Sequence, residues 1–283
     1  MKFWQTLYAI DRRVLYLILI ILVSWQILQP ITVPNVVLPM SQAMFDKVES
    51  LKDGDVVLIE SDWTTSTQGE SEGQFKALIR QLVRKRVKFI LTAIDPLAPG
   101  IARLRVDQVL KEEAPDPPYI QGTDWAVAGY FPNAENYVLA MVTNVKDTLD
   151  GKGLAGKPIM SGIKDLSDMK AVINVTASAS INVWYERIRG KAPIGLMCTA
   201  VMAGENIPYF ASGQLFGMVI GAKGAFDYED LLAQKYPDEK YLNYQSGRRY
   251  MSPLFFALLL LIVSVIVGNV AMVVLRKKEA AGQ

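Results

Sequence analysis

Hydrophobic and polar positions divide the chain into two long apolar stretches and a patterned region between them. Residues 253–275 carry no charge and are followed at once by Arg276, Lys277 and Lys278. At about 1.5 Å per residue such a stretch covers a bilayer core of about 30 Å, so the pattern predicts a transmembrane helix. Ser252 offers an N-cap, and Pro253 a first helical residue whose missing N–H costs nothing at that place. Residues 14–33 are uncharged as well, with Trp25 and Gln26 toward the far end, which predicts a first, tilted span with an aromatic anchor. Ahead of it Phe3, Trp4, Leu7 and Tyr8 fall on one helical face beside Lys2, Asp11, Arg12 and Arg13, and predict an interfacial segment over 1–13. No small-residue cleavage site follows the apolar core, so an uncleaved signal anchor is expected.

Between 35 and 251 the period of the pattern changes repeatedly. A short apolar run at 55–60, after the turn Lys52-Asp53-Gly54, predicts a buried strand. Over 74–86, Phe75, Leu78, Ile79, Leu82 and Val83 take the spacing of an amphipathic helix, with Glu70 and Glu72 before it and Arg84, Lys85 and Arg86 at its end, as the helix dipole favours. Its basic face is expected to be solvated. Further strands are predicted at 87–94, 125–131, 171–176 and 194–199, and helices at 98–113, 134–149 and from Ser180, read as an N-cap, through Ile181, Trp184, Tyr185 and Ile188. Strict alternation implies right-handed crossovers and a parallel sheet covered on both faces. The expected fold is therefore α/β: a Rossmann-like or flavodoxin-like three-layer sandwich of about five mainly parallel strands over 35–251, between transmembrane helices at 14–33 and 253–275 and ahead of a basic tail at 276–283.

Composition narrows the chemistry. The chain has no histidine and one cysteine, Cys198, which removes Ser-His-Asp and Cys-His catalysis, His-ligated zinc and haem, an internal disulfide and any Cys-rich cluster. Cys198 lies in an apolar run and reads as a small buried hydrophobe. Once the basic tails are set aside the middle of the chain is slightly acidic, so no nucleic-acid partner is expected. Lys and Arg flank the outer ends of both apolar stretches, which predicts cytoplasmic termini and a domain outside, in a plasma or inner membrane. Tyr236, Tyr241, Tyr244 and Tyr250, mixed with Lys235, Lys240, Arg248 and Arg249, suit an interfacial belt, with membrane lipids as a partner.

In open parallel sheets ligands bind beyond the carboxyl ends of the strands, where strand order reverses. That rim gathers Glu60, Ser61, Asp62, Trp63, Thr64, Thr65, Asp95, Thr176, Ser178 and Thr199; of these Asp62, Thr64, Thr65, Asp95 and Ser178 are the candidate ligand-binding residues. Ser and Thr there serve equally as ordinary capping and turn residues. The loop that follows the strand at 55–60 has neither GxGxxG nor GxxxxGK[ST], so neither a dinucleotide nor a P-loop phosphate is indicated there. Glu60, Asp62 and Asp95 have no metal-ligand spacing, and no metal or cofactor is expected. Gly213, Gly217 and Gly221 recur at four-residue spacing; on a helix they form one smooth face, suited to a subunit contact or to packing within the domain. The functional expectation is a non-enzymatic, membrane-anchored subunit whose domain makes protein contacts, with its own copies or another membrane protein. The alternative is a small-ligand-binding or sensory domain at the rim, and a His-free hydrolase stands third.

Ser212-Gly213-Gln214-Leu215, Gly224-Ala225-Phe226-Asp227-Tyr228-Glu229, Gln245-Ser246 and Gly268-Asn269 resemble the GQL, GAxEYE and GN elements of an uncharacterised family of prokaryotic two-span membrane proteins. The resemblance implies the architecture of two spans around an α/β domain and no particular reaction.

Overall fold

A computed structural model describes residues 2–29, 31, 33–237 and 246–281. Two compact units emerge, one made of Met1–Pro34 with Arg248–Gln283, the other of Asn35–Gly247.

After helices α1 (Lys2–Tyr8) and α2 (Arg12–Leu28) of the first unit, the second opens with α3 (Pro39–Glu49) and continues β1 (Val56–Asp62), α4 (Gln68–Arg84), β2 (Lys88–Ala93), α5 (Ala98–Glu113), β3 (Trp125–Tyr130) and α6 (Ala134–Leu149). It goes on through β4 (Ala171–Thr176), α7 (Ile181–Arg187), β5 (Ile194–Cys198), α8 (Ala203–Ala211), β6 (Leu215–Ile220) and α9 (Gly221–Lys235). The six strands lie in the order β3-β2-β1-β4-β5-β6, every neighbouring pair parallel. This is the strand order of a Rossmann-type sheet, with its reversal between β1 and β4. Both of those central strands are buried along their whole length, which explains the unbroken apolar runs at 56–59 and 171–173: a parallel strand covered on both faces has no solvent side to mark with alternation. One apolar cluster joins α3, α4, α5 and α9 to the sheet. The other joins α6 and α7 to the opposite face.

The region after β5 differs from the expected glycine-faced helix. Gly213 turns the chain with φ +77°, residues 215–220 form strand β6, and Gly221 opens α9 with φ +58°. The three glycines therefore do not share a helical face. Gly217 stands opposite Gly195 in the β5–β6 register. A Cβ on Gly217 would collide with the backbone N and Cα of Met44 in α3, and one on Gly195 with the Met44 side chain and Phe216. The paired glycines form a notch that seats α3 against the sheet edge. Four-residue spacing suggested a helix; the short apolar run Leu215–Ile220 behaves as a strand because a sheet edge is there to receive it.

The basic face of α4 is also a correction. Lys76 and Arg80 are buried, Arg80 to 2% exposure, because α5 lies over them with Glu112 and Glu113. Lys76 stands 3.5 Å from Glu112, Arg80 pairs with Glu112 and, at 3.4 Å, with Glu113, and Arg84 reaches Glu113 at 2.7 Å. Ser180, expected as an N-cap, has helical backbone angles and makes no capping bond.

The Gly224–Glu229 stretch lies in α9, where consecutive side chains secure different segments. Asp227 accepts the Leu38 N–H at 3.1 Å and pairs with Lys223; Tyr228 donates to Gln81; Glu229 accepts the Gly247 N–H at 3.0 and 2.9 Å; Asp230 accepts from Asn35 at 2.6 Å. One helix thus holds both the first and the last residues of the domain.

In the first unit, α1 is Lys2–Tyr8, α2 Arg12–Leu28 and α10 Ser246–Ala281. Asp11 caps α2, accepting the Arg13 N–H at 2.8 Å. One described helix segment is long and apolar enough to cross a membrane, Arg249–Lys277, with mean hydropathy 2.9. The first stretch, expected to span 14–33, yields a helix of 17 residues ending at Leu28, because the residue before Pro30 is disfavoured in helical geometry. The last helix does not start at Ser252: it begins at Ser246 and carries Pro253 inside. The Ser252 hydroxyl instead donates to Gln26 Oε1 at 2.7 Å, in a buried contact.

Candidate functional site

Where β1 and β4 lie side by side, their chain continuations leave toward opposite faces of the sheet, and the ends of the two strands frame a crevice. Register sets which side chains meet there. Glu60 is opposite Thr92 of β2 on one side and Asn174 of β4 on the other, and Asp62 is opposite Thr176. Since side chains alternate along a strand, Glu60, Thr92 and Asn174 lie in one row on the face that α6 and α7 cover. These two helices bring Tyr137 and Trp184 to the row.

The Trp184 indole N–H donates to Glu60 Oε2 at 2.6 Å, and Tyr137 Oη lies 2.6 Å from Thr92 Oγ1. The Tyr137 ring meets Trp184 edge-on at 5.8 Å. Burial pushes the Glu60 carboxyl up to about 7. The charge of Asp62 adds to that effect, while the Trp184 and Ser180 donors oppose it. Asp62, 7% exposed, is the outer of the two carboxylates. Burial raises its pKa too, opposed first by the Ser178 hydroxyl and then by the nearby Asp95 peptide, whose N–H falls outside hydrogen-bond geometry. Ser178 Oγ donates to Asp62 Oδ2 at 2.9 Å. Behind it the hydroxyls of Thr176, Ser178 and Ser180 lie within 3.1–3.4 Å of one another.

What distinguishes this crevice is its unused hydrogen-bonding capacity. Asp62 Oδ1, Glu60 Oε1 and both side-chain amide atoms of Asn174 are buried without a hydrogen-bond partner. A buried polar atom left in that state costs about 1–3 kcal/mol, and native folds keep few of them. Several gathered at a strand-order reversal, beside carboxyls with displaced pKa values, mark a candidate binding site.

Comparison with family models, curated proteins and solved structures gives no match.

Of the five rim residues expected from sequence, the structure joins Asp62 to Ser178 directly. The other three lie in turns: Thr64 Oγ1 lies 2.9 Å from Ser66 Oγ, Thr65 begins the 3-10 turn Thr65–Thr67, and Asp95 Oδ1 accepts the Leu97 N–H at 2.7 Å. Gly213, Gly217 and Gly221, proposed as an interface, take the places in the turn, the notch and the start of α9 described above. Gly221 lies beside Glu70, where a Cβ would approach Glu70 Oε2 at 2.8 Å. Cys198 is buried and its thiol pushed up to about 12 by burial, as an inert core residue. Among the described residues no group of His, Cys, Asp or Glu is placed to hold a metal ion.

Sequence reasoning set Glu60 at the rim without giving it a role, read Trp184 only as part of a helix's apolar face, and missed Asn174 and Tyr137. A signal for Glu60 and Asn174 was available. Each is the first polar residue after an apolar run in a fully buried strand, Val56–Asp62 and Ala171–Thr176, where a polar side chain must be satisfied or be used. Tyr137 and Trp184 look like ordinary core aromatics until the fold brings their polar tips to the row.

Proposed function

We propose that this chain is a membrane-anchored binding protein whose α/β domain takes a small polar ligand in the crevice between β1 and β4. The observation that carries this reading is Asp62: a carboxylate with one oxygen fixed by Ser178 and the other buried and unpaired. The role is binding rather than catalysis. Carboxylates at the end of β1 also disfavour the pyrophosphate that Rossmann-type sheets commonly hold there, since like charges in a poorly solvated crevice repel. Anchoring by α10 rests on its length and on the large apolar side chains it leaves uncovered, among them Leu258, Leu261, Ile262 and Val265. In this proposal α2 is the second span, near the lower limit of about 17 residues for a helix that crosses, with both tails cytoplasmic and the domain outside.

The test is thermal melting of the full chain in mild detergent against a panel of small polar metabolites, run in parallel on Asp62→Ala. A compound that raises the wild-type melting temperature and leaves the folded variant unmoved supports the site. Equal shifts in both proteins place binding elsewhere and remove the reading.

A second reading, assembly with further copies or with another membrane protein, is favoured by a separate observation. Asn269 is exposed within the apolar helix, beside Gly268, on a groove of about 560 Å3 that Tyr8, Leu15 and Leu260 also line. Its amide donates to the Val265 carbonyl at 2.9 Å; a polar side chain on a lipid-facing surface gains by meeting another helix. A strictly monomeric mass in mild detergent counts against it.

A further inference from the structure

The chemistry of the rim narrows the ligand. Residues 63–67, 94–97, 131–133, 177–180 and 199–202, which follow β1 to β5, contain neither Lys nor Arg. The cations borne on nearby elements are engaged: Lys152 donates to the Tyr130 carbonyl, Lys223 pairs with Asp227, Arg187 with Glu135 at 3.1 Å, and Arg105 with Glu72 at 2.9 Å. In the crevice Asp62 Oδ1 and Asn174 Oδ1 are buried acceptors without partners, and Glu60 Oε1 beside them has no partner either. Such an arrangement has nothing to balance an anion and several groups to receive N–H donors.

We infer that the ligand of this crevice carries a protonated amine, received by the free oxygen of Asp62 while Ser178 holds the other. The inference rests on the binding site proposed above and names its ligand class. A charge-assisted hydrogen bond in a crevice shielded from water is among the strongest single contacts available to a small ligand. Ser178 gives the carboxylate one orientation, so little ordering remains to be done on binding. Asn174, with a free N–H pair beside its free carbonyl, would take an acceptor on the same ligand.

The experiment is calorimetry on the full chain in mild detergent, with ethanolamine and putrescine as probes, ethylene glycol and 1,4-butanediol as neutral analogues of the same shape, and inorganic phosphate and AMP as anions. The amines are expected to bind and the diols and anions not. Asp62→Asn should weaken amine binding at least about tenfold, the equivalent of ~1.4 kcal/mol, and Ser178→Ala should weaken it less. Should Asp62→Asn fail to fold by circular dichroism, the loss in Ser178→Ala decides, and an unchanged affinity there overturns the inference. If diols bind as tightly as amines, or AMP binds in their place, the amine is overturned while the site stands. If no probe binds and the metabolite panel also fails on wild-type protein, both fall together.

Discussion

Glu60 shows how one residue ties the fold to pH. Its carboxyl is fully buried and raised to about 7, chiefly by loss of solvent. The folded chain therefore keeps a proton that the unfolded chain releases. The stability this contributes is complete below the ordinary value of 4.5 and is lost as pH rises through about 7. At about 1.4 kcal/mol for each pH unit in that interval, the loss approaches ~3 kcal/mol. Glu60→Gln stays neutral and can still accept from Trp184, so it should gain on wild type by that order between about pH 5 and pH 8. Denaturation midpoints at both pH values would show it; parallel pH profiles for the two proteins would mean that Glu60 ionises freely.

At the scale of elements, the decisive contact is α3 on the β5–β6 edge. Helix and sheet approach closely there because Gly195 and Gly217 leave no side chain between them and Met44. Gly217→Leu places a branched side chain where backbone already lies, and overpacking of this kind costs about 1–3 kcal/mol or more. The variant should lose domain stability in urea, and any change in detergent-solubilised mass should appear only in step with that loss. A fully stable variant would show that α3 can lift from the edge at no cost. The α4–α5 pair makes a related point with charges. Lys76 and Arg80 are buried against Glu112 and Glu113, and removing one partner from such a cluster is far more damaging than replacing the cluster as a whole.

For the whole molecule, the proposed orientation sets Arg12 and Arg13, ahead of α2, and Arg276, Lys277 and Lys278, at the end of α10, on the cytoplasmic side. Protease added to spheroplasts should then digest the domain and spare tags placed on both tails. A protected domain with accessible tags would reverse the orientation. The domain is held at both its ends by α9, through Asn35 and Leu38 at one and Gly247 at the other. This gives a physical role to the Gly224–Glu229 stretch that sequence could quote only as a resemblance.

By itself the sequence determined the elements whose signal is local. The helices Ala98–Glu113 and Ala134–Leu149 and the strand Ala171–Thr176 follow from periodicity, apolar runs and flanking turn residues, and strict alternation of strands with helices determined a parallel α/β sheet. The apolar helix near the carboxyl end and the absence of histidine chemistry were equally legible, since composition alone sets them. Tertiary structure decided everything that depends on which residues become neighbours. Leu215–Ile220 became a strand because Gly195 offered a partner and Met44 a cover; Lys76 and Arg80 were buried because α5 brought carboxylates over them. Glu60, Asn174 and Trp184 came together at one candidate site because register and crossover, which no local pattern encodes, set three distant segments side by side.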